Sequence, residues 1–240
     1  CVSQLLPHLL TFFSDQDWEL RYAFWTRIAS VCAFIGPTLT EAYIMPGLEN
    51  ALVDVEERVM VGALQFLQSL CELELLSIPA IMRYIVSKAN VMVLHPCNPV
   101  RQATIAFIAA ASAYMGSVDT TVFLLPVLRP LFIHEEQEST QCVVLSADAL
   151  NSLLVSSLPR IQYRTALLQR QKFYLENNSS AADLVMPFNS AIKNGEEAEV
   201  DEDVKKKLKL MFSYIDLSAR ELSSKTMQWR HALAGGINSG

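Results

Sequence analysis

Polar and basic side chains recur in this chain at the foot of apolar helical runs: Asp15, Asp17 and Arg21, then Asp54 and Arg58, then Asn98 and Arg101. Arginine presents a planar fork that holds a carboxylate or a phosphate through two parallel hydrogen bonds. Asp17 precedes Arg21 by four residues and Asp54 precedes Arg58 by four, a spacing that sets both partners on one helix face. Two chemistries are open to such a row. It could bind anions along an edge, or it could bridge neighbouring turns of the fold as an intramolecular ladder. The four histidines, His8, His95, His134 and His231, are scattered. His134 stands beside Glu135, Glu136 and Glu138, which could imitate an acid–base pair but read as a solvated turn. His95 and His134 fall at equivalent turns, yet neighbouring helices lie roughly 10 Å apart, too far for shared zinc ligation at about 2 Å. No glycine-rich phosphate loop, Gly-x-Ser-x-Gly elbow, His-Glu-x-x-His or paired cysteine motif is present. The expectation is therefore no catalytic, cofactor-binding or metal-ligating residue, and no cofactor.

Composition narrows the class further. Of 240 residues, 51% are apolar and 18% charged, which is enough to bury a sizeable core and too apolar for a disordered chain. Eight glycines are too few for the turns of an all-β protein. A net charge of −6 without a basic stripe argues against nucleic acid as a partner. The five cysteines form no CxxC pair, and Cys32, Cys71 and Cys142 lie in apolar helical runs, as suits a reducing cytosolic compartment. The uncharged stretch from Gln102 to Val118 is short and polar for a membrane span and reads as a buried helix.

The elements that position these residues repeat. Pro7, Pro46 and Pro126 each follow a pair of large apolar residues, and the polar turns at Asp15, Asp54, His95 and His134 are 39, 41 and 39 residues apart. A period near 40 built only of helical pattern predicts HEAT or armadillo units, helix pairs stacked into a solenoid. The expected fold is all-α: an α-solenoid of about four helix pairs with extra C-terminal helices. The units are expected at about 2–36, 37–77, 78–116 and 117–158, with a trailing helix at 160–176, so that the array covers 1–176. A linker is expected at 177–200, a C-terminal helix at 201–232 and a flexible end at 233–240. In the second helix of the first unit, Leu20, Phe24, Ile28, Val31 and Ile35 fall on one face, and Gly36-Pro37 stops the helix. Val59, Ala63, Phe66 and Leu70 do the same in the second unit, and Ala103, Phe107, Ala110 and Tyr114 in the third, where Pro99 suits the first helical turn. The recurrent prolines should kink each first helix or start its second turn. Acids at 196–203 run into Lys205, Lys206, Lys207 and Lys209, which reads as a solvated helix start rather than a lipid-binding patch. A start at Cys1 inside an apolar pattern and a Gly-rich end suggest a piece of something longer.

The residues filling the turns add a resemblance. LLPHLLTFFSDQDWELRYAFWTRIASVCAFIG from Leu5, YIMPGLENALVDVEERVMVGALQFLQSLCELELL from Tyr43 and LHPCNPVRQATIAFI from Leu94 resemble the regulatory, protein-kinase-like subunit of the class III phosphatidylinositol 3-kinase complex, vacuolar protein sorting type. The likeness rests on Asp-Trp-x-Leu-Arg at 17–21, Asp-x-Glu-Glu-x-Val at 54–59 and the unit lengths, and is clearest from about residue 5 to 168. It implies the central HEAT region of a subunit with a kinase-like domain before it and a WD40 propeller after it. None of the kinase motifs occurs here, so the resemblance implies a non-catalytic scaffold, not an enzyme. The implied partners are the class III phosphatidylinositol 3-kinase catalytic subunit and a Beclin-type coiled-coil subunit. The implied role is autophagy and endosomal or vacuolar sorting. The implied location is cytoplasmic, with indirect membrane association at endosomal, vacuolar or autophagosomal surfaces. A HEAT adaptor of another complex, a phosphatase scaffold or a transport receptor, is the other reading of the repeat.

Overall fold

The computed structural model describes residues 7–132, 145–153, 157–177 and 201–216. The described residues are helical almost throughout and form no strand beyond a single bridge position at Phe132. The fold is all-α. Its contacts divide it into two compact units, one made of Cys1–Ile85 and Cys97–Val155, the other of Val86–Pro96 and Ser156–Gly240.

In the first unit four helices carry the core: α1 (Trp18–Arg27), α2 (Glu57–Glu72), α3 (Asn98–Asp119) and α4 (Ala147–Leu153). Each packs on the next in chain order, the nearest-neighbour stacking of an α-solenoid. The stripe of α2 forms because Val59, Ala63, Phe66 and Leu70 recur every three to four residues, and all four are buried. Phe66 meets the ring of Trp25 from α1 at 5.4 Å, and Phe24 packs edge-on to Trp25 at 5.0 Å. Gly62 lets the two helices approach this closely, since a Cβ there would lie 3.1 Å from the Tyr22 ring. On α3, Ala103, Phe107, Ile108 and Ala111 are buried.

The helix ends follow from backbone chemistry. After Ile35 and near the end of α3, Gly36 and Gly116 sit at φ 83° and 79° with ψ 172° and 174°, a conformation open in practice only to glycine. Gly116 therefore breaks the long apolar run 98–131, which by length and composition alone is enough to cross a membrane. α2 ends differently, with Glu74 at φ 55°. There Leu75 N–H donates to the Leu70 carbonyl at 2.9 Å and Glu74 N–H to Cys71 at 3.1 Å, the double bond of a Schellman cap.

Between these helices run first helices that contain π-helical turns, at Thr40–Ile44, Ile85–Ala89 and Thr120–Leu124. Met45 N–H reaches back five residues to the Thr40 carbonyl, and Leu125 N–H likewise to Thr120. Pro46 and Pro126 follow immediately, in the first turn of the next α-helical segment. A proline has no N–H to donate and crowds the carbonyl four residues back, and the wider turn relieves both. The turn at Ile85–Ala89 has no proline after it, so proline alone does not cause the widening.

The structure corrects one expected face. On α1 and its continuation Ala29–Ile35, the buried side chains are Phe24, Trp25, Ile28 and Cys32, while Leu20 is 42% exposed. The stripe is rotated because two aromatic neighbours, Phe24 and Trp25, both turn inward.

The second unit brings residues 86–96 together with α5 (Arg160–Asn177). Leu158 N–H donates to the Leu94 carbonyl at 3.0 Å, and the rings of His95 and Tyr163 meet edge-on at 4.9 Å. On α5 it is Tyr163 and Ala166 that are buried, whereas Ile161 is 78% exposed and Leu168 56%. A further helix at 202–216 buries Met211, Phe212 and Tyr214, and Lys207 on it pairs with Asp203. The expected turn at His134, the linker expected at 177–200 from residue 178 on, and the chain beyond 216 lie outside the described residues.

Candidate functional site

The polar turns are positioned by the helix starts. Asp17 is the N-cap of α1, and its Oδ1 accepts from Glu19 N–H at 2.9 Å. Asp15 Oδ1 accepts from Asp17 N–H at 2.9 Å, so the two aspartates knit the turn itself. Neither of their carboxylates takes Arg21.

Arg21 instead crosses to the next turn. Its Nε lies 2.8 Å from Asp54 Oδ2 and its Nη2 2.9 Å from Asp54 Oδ1, a bidentate pair spanning 33 residues of sequence. Nη1 donates to the carbonyls of Asp15 at 2.8 Å and Gln16 at 3.2 Å. Both side chains are mostly covered, at 15% and 12% exposure. The hydrogen bond to Asp54, opposed by burial and helped by the nearby charge of Asp54, Glu56 and Asp15, raises the Arg21 pKa further. Asp54 Oδ1 also accepts from Glu56 N–H at 2.9 Å, which fixes the turn before α2. With these contacts the guanidinium is occupied from within the chain and does not present an open anion cradle.

The other members of the row behave differently. Arg58 lies over the indole of Trp18, 5.5 Å from its centroid. Arg101 Nη2 donates to Asn98 Oδ1 at 3.0 Å within its own helix start. The structure thus brings Arg21 and Asp54 together, joins Asn98 to Arg101, and gives Arg58 an aromatic partner that sequence reasoning did not assign. The signal was present: Trp18 opens α1, and Arg58 stands in the first turn of α2, the next helix to pack on it.

A second polar contact was also missed. Tyr84 is buried, with its ring 5.1 Å from the Arg83 guanidinium carbon. Burial first, and the Glu49 carboxylate second, push its hydroxyl up to about 12, with Arg83 pulling the other way. Burial likewise pushes the Cys71 thiol up to about 12, which keeps it an unreactive hydrophobe. Among the described histidines, His8 is exposed and His95 is buried. His134 and His231 lie outside the described residues.

Helices stacked in chain order, with the Arg21–Asp54 pair joining the starts of two of them, define a class: an all-α solenoid protein. The comparisons with known proteins are more particular. Residues 2–167 match the family described as PIK3R4-like, middle domain, and the chain belongs to it. It is similar to a probable serine/threonine-protein kinase vps15 of Dictyostelium discoideum, 30% identical over 190 residues, covering 79% of this chain and 10% of that protein. It is also similar to the serine/threonine-protein kinase VPS15 of Arabidopsis thaliana, 35% identical over 145 residues, 58% of this chain and 10% of that protein. A non-specific serine/threonine protein kinase of Candida glabrata is 29% identical over 129 residues, 53% of this chain and 9% of that protein. The chain spans about a tenth of the length of these relatives.

Proposed function

We propose that this chain is a non-catalytic scaffold segment of a class III phosphatidylinositol 3-kinase regulatory subunit. In that role it holds the lipid-kinase catalytic subunit and a Beclin-type coiled-coil subunit, for autophagy and endosomal or vacuolar sorting. It works in the cytoplasm, peripheral to those membranes. The observation that carries this reading is the family match to a middle domain, over the same residues that form the stacked helices. Stacked helix pairs offer long surfaces to partners while each pair is supported by its neighbours. The residues that looked most like chemistry, Arg21 and Asp54, are spent on joining one pair to the next. Kinase activity in the relatives' names would then belong to other parts of those longer chains.

The test is deletion of the stretch 1–176 from the parent subunit, followed by co-purification and a lipid-kinase assay. Loss of the catalytic and Beclin-type subunits from the complex is the expected result. A complex that assembles and turns over normally without this stretch would overturn the proposal. A purified 240-residue chain that phosphorylates a protein substrate would overturn its non-catalytic part.

A further inference from the structure

The helix α5 carries apolar residues on two faces. Tyr163 and Ala166 are buried, Tyr163 against the His95 ring. On the other side Ile161, Arg164, Thr165 and Leu168 recur at i, i+3, i+4 and i+7, which sets them in one stripe along the helix, and all four are exposed. Ile161 and Leu168 stand seven residues apart, about 10 Å along the axis. Leu167, also exposed, borders the stripe. Exposed apolar side chains scattered singly need no explanation, but two in register on one face, with a third beside them, mark a contact surface.

The charge of this helix is opposite to that of the chain. The protein has a net charge of −6, yet no Asp or Glu occurs from Ala149 to Leu175, and α5 holds Arg160, Arg164, Arg170 and Lys172 against Glu176 alone. Arg164 stands in the stripe itself, between Ile161 and Leu168, and among the described residues no carboxylate pairs with it.

These features select the occupant. A membrane surface takes an unbroken apolar face, and inserting this one would carry Arg164 toward the acyl chains. A second copy of α5 would oppose like charges. A helix with carboxylates beside its apolar residues meets both demands. Its apolar side chains can pack on Ile161 and Leu168 while a carboxylate takes the planar fork of Arg164. We propose that the outward face of α5, built on Ile161, Arg164 and Leu168, docks an acidic amphipathic helix of another protein. This surface rests on α5 alone, independent of which complex the chain serves.

The test uses the 240-residue chain and two synthetic peptides of three heptads each. Both carry leucine at the first and fourth positions of every heptad, with either glutamate or lysine at the fifth and seventh. In fluorescence anisotropy the glutamate peptide should bind at least about tenfold more tightly than the lysine peptide, and weaken several-fold as salt rises from about 0.05 to about 0.5 M. Equal affinity for the two, or none for either, would overturn the proposal. Arg164→Glu should reverse the preference, and the double variant Ile161→Ser, Leu168→Ser should weaken the glutamate peptide by at least about tenfold. Since all three positions are exposed, both variants should keep the wild-type circular dichroism and thermal midpoint. Wild-type affinity in either one places the binding elsewhere and overturns the proposal. Should the double variant not fold, the charge reversal alone decides. Three other outcomes also overturn an outside acidic helix. Binding to vesicles of phosphatidylserine and phosphatidylcholine, lost in Arg164→Glu and unaccompanied by peptide binding, makes the face a lipid surface. Dimerisation in sedimentation that the double variant abolishes assigns it to a second copy. Peptide binding that appears only after Glu196→Gln, Glu197→Gln and Glu199→Gln assigns it to the chain's own acids.

Discussion

Arg21 and Arg58 stand near the starts of successive helices, α1 and α2, and meet different ends. Arg21 is gripped on both sides of its fork by Asp54 and two carbonyls, nearly out of solvent. Arg58 is exposed and rests on the face of Trp18. The turn ahead of Arg21 along the repeat offers Asp54, whereas the turn ahead of Arg58 carries His95 in the matching position. Two arginines near successive helix starts thus end, one in a covered ion pair and the other in an exposed cation–π contact. What each arginine does depends on the side chain that packing brings to it.

The core sets the scale against which both edges are measured. Phe66→Ala, which removes a buried ring in contact with Trp25, should cost about 3–5 kcal/mol in chemical denaturation. A smaller loss than Asp54→Ala produces would mean that the edge, not the core, joins the first two helices. Next comes the pair itself. Asp54→Ala leaves a mostly covered guanidinium without its carboxylate, and a double-mutant cycle with Arg21→Ala should give a coupling of about 1–3 kcal/mol. Because the pair is not fully buried, this stays below the range for a deep ion pair. Coupling within error of zero would erase the difference between the two edges. The same cycle on Arg58→Ala and Trp18→Ala should give only about 0.5–1 kcal/mol, and removing the charge with Arg58→Gln should reproduce most of that loss.

The smallest effect should have the opposite sign. Glu74 occupies a left-handed position that glycine fills without strain, so Glu74→Gly should stabilise the chain by about 0.5–1 kcal/mol, seen as a raised denaturation midpoint. A loss of stability would mean that the Glu74 side chain holds the cap in a way its backbone does not show.

Much of the helical architecture was legible in the residues. The stripe Val59, Ala63, Phe66, Leu70 and the stops at Gly36 and Gly116 were readable because the period of a helix and the backbone demands of a terminus are local properties. The stripe of α1 was misread for an equally physical reason. Leu20 and Phe24 satisfy the same period, and only the contact of Trp25 with Phe66 on the next helix decides which way the helix turns. On α5 the apolar Ile161 and Leu168 face outward for the same reason, while Tyr163 and Ala166 are covered.

The polar row divides along the same line. That Asp17 would cap a helix follows from its place before Trp18 and the orphan N–H groups there. That Arg21 would pass over Asp17, four residues away, and take Asp54, 33 residues away, does not. Asp17 is already committed to the Glu19 amide, and the stacking of α2 on α1 brings Asp54 into the plane of the fork. By itself the sequence determined the helices, their ends, the spacing near 40 and the family. The tertiary structure alone decided which faces are buried, that 86–96 group with the trailing segment, and which partner each arginine takes. Periodicity is written in contacts a few residues apart, whereas the choice among several compatible partners is made only when distant segments pack.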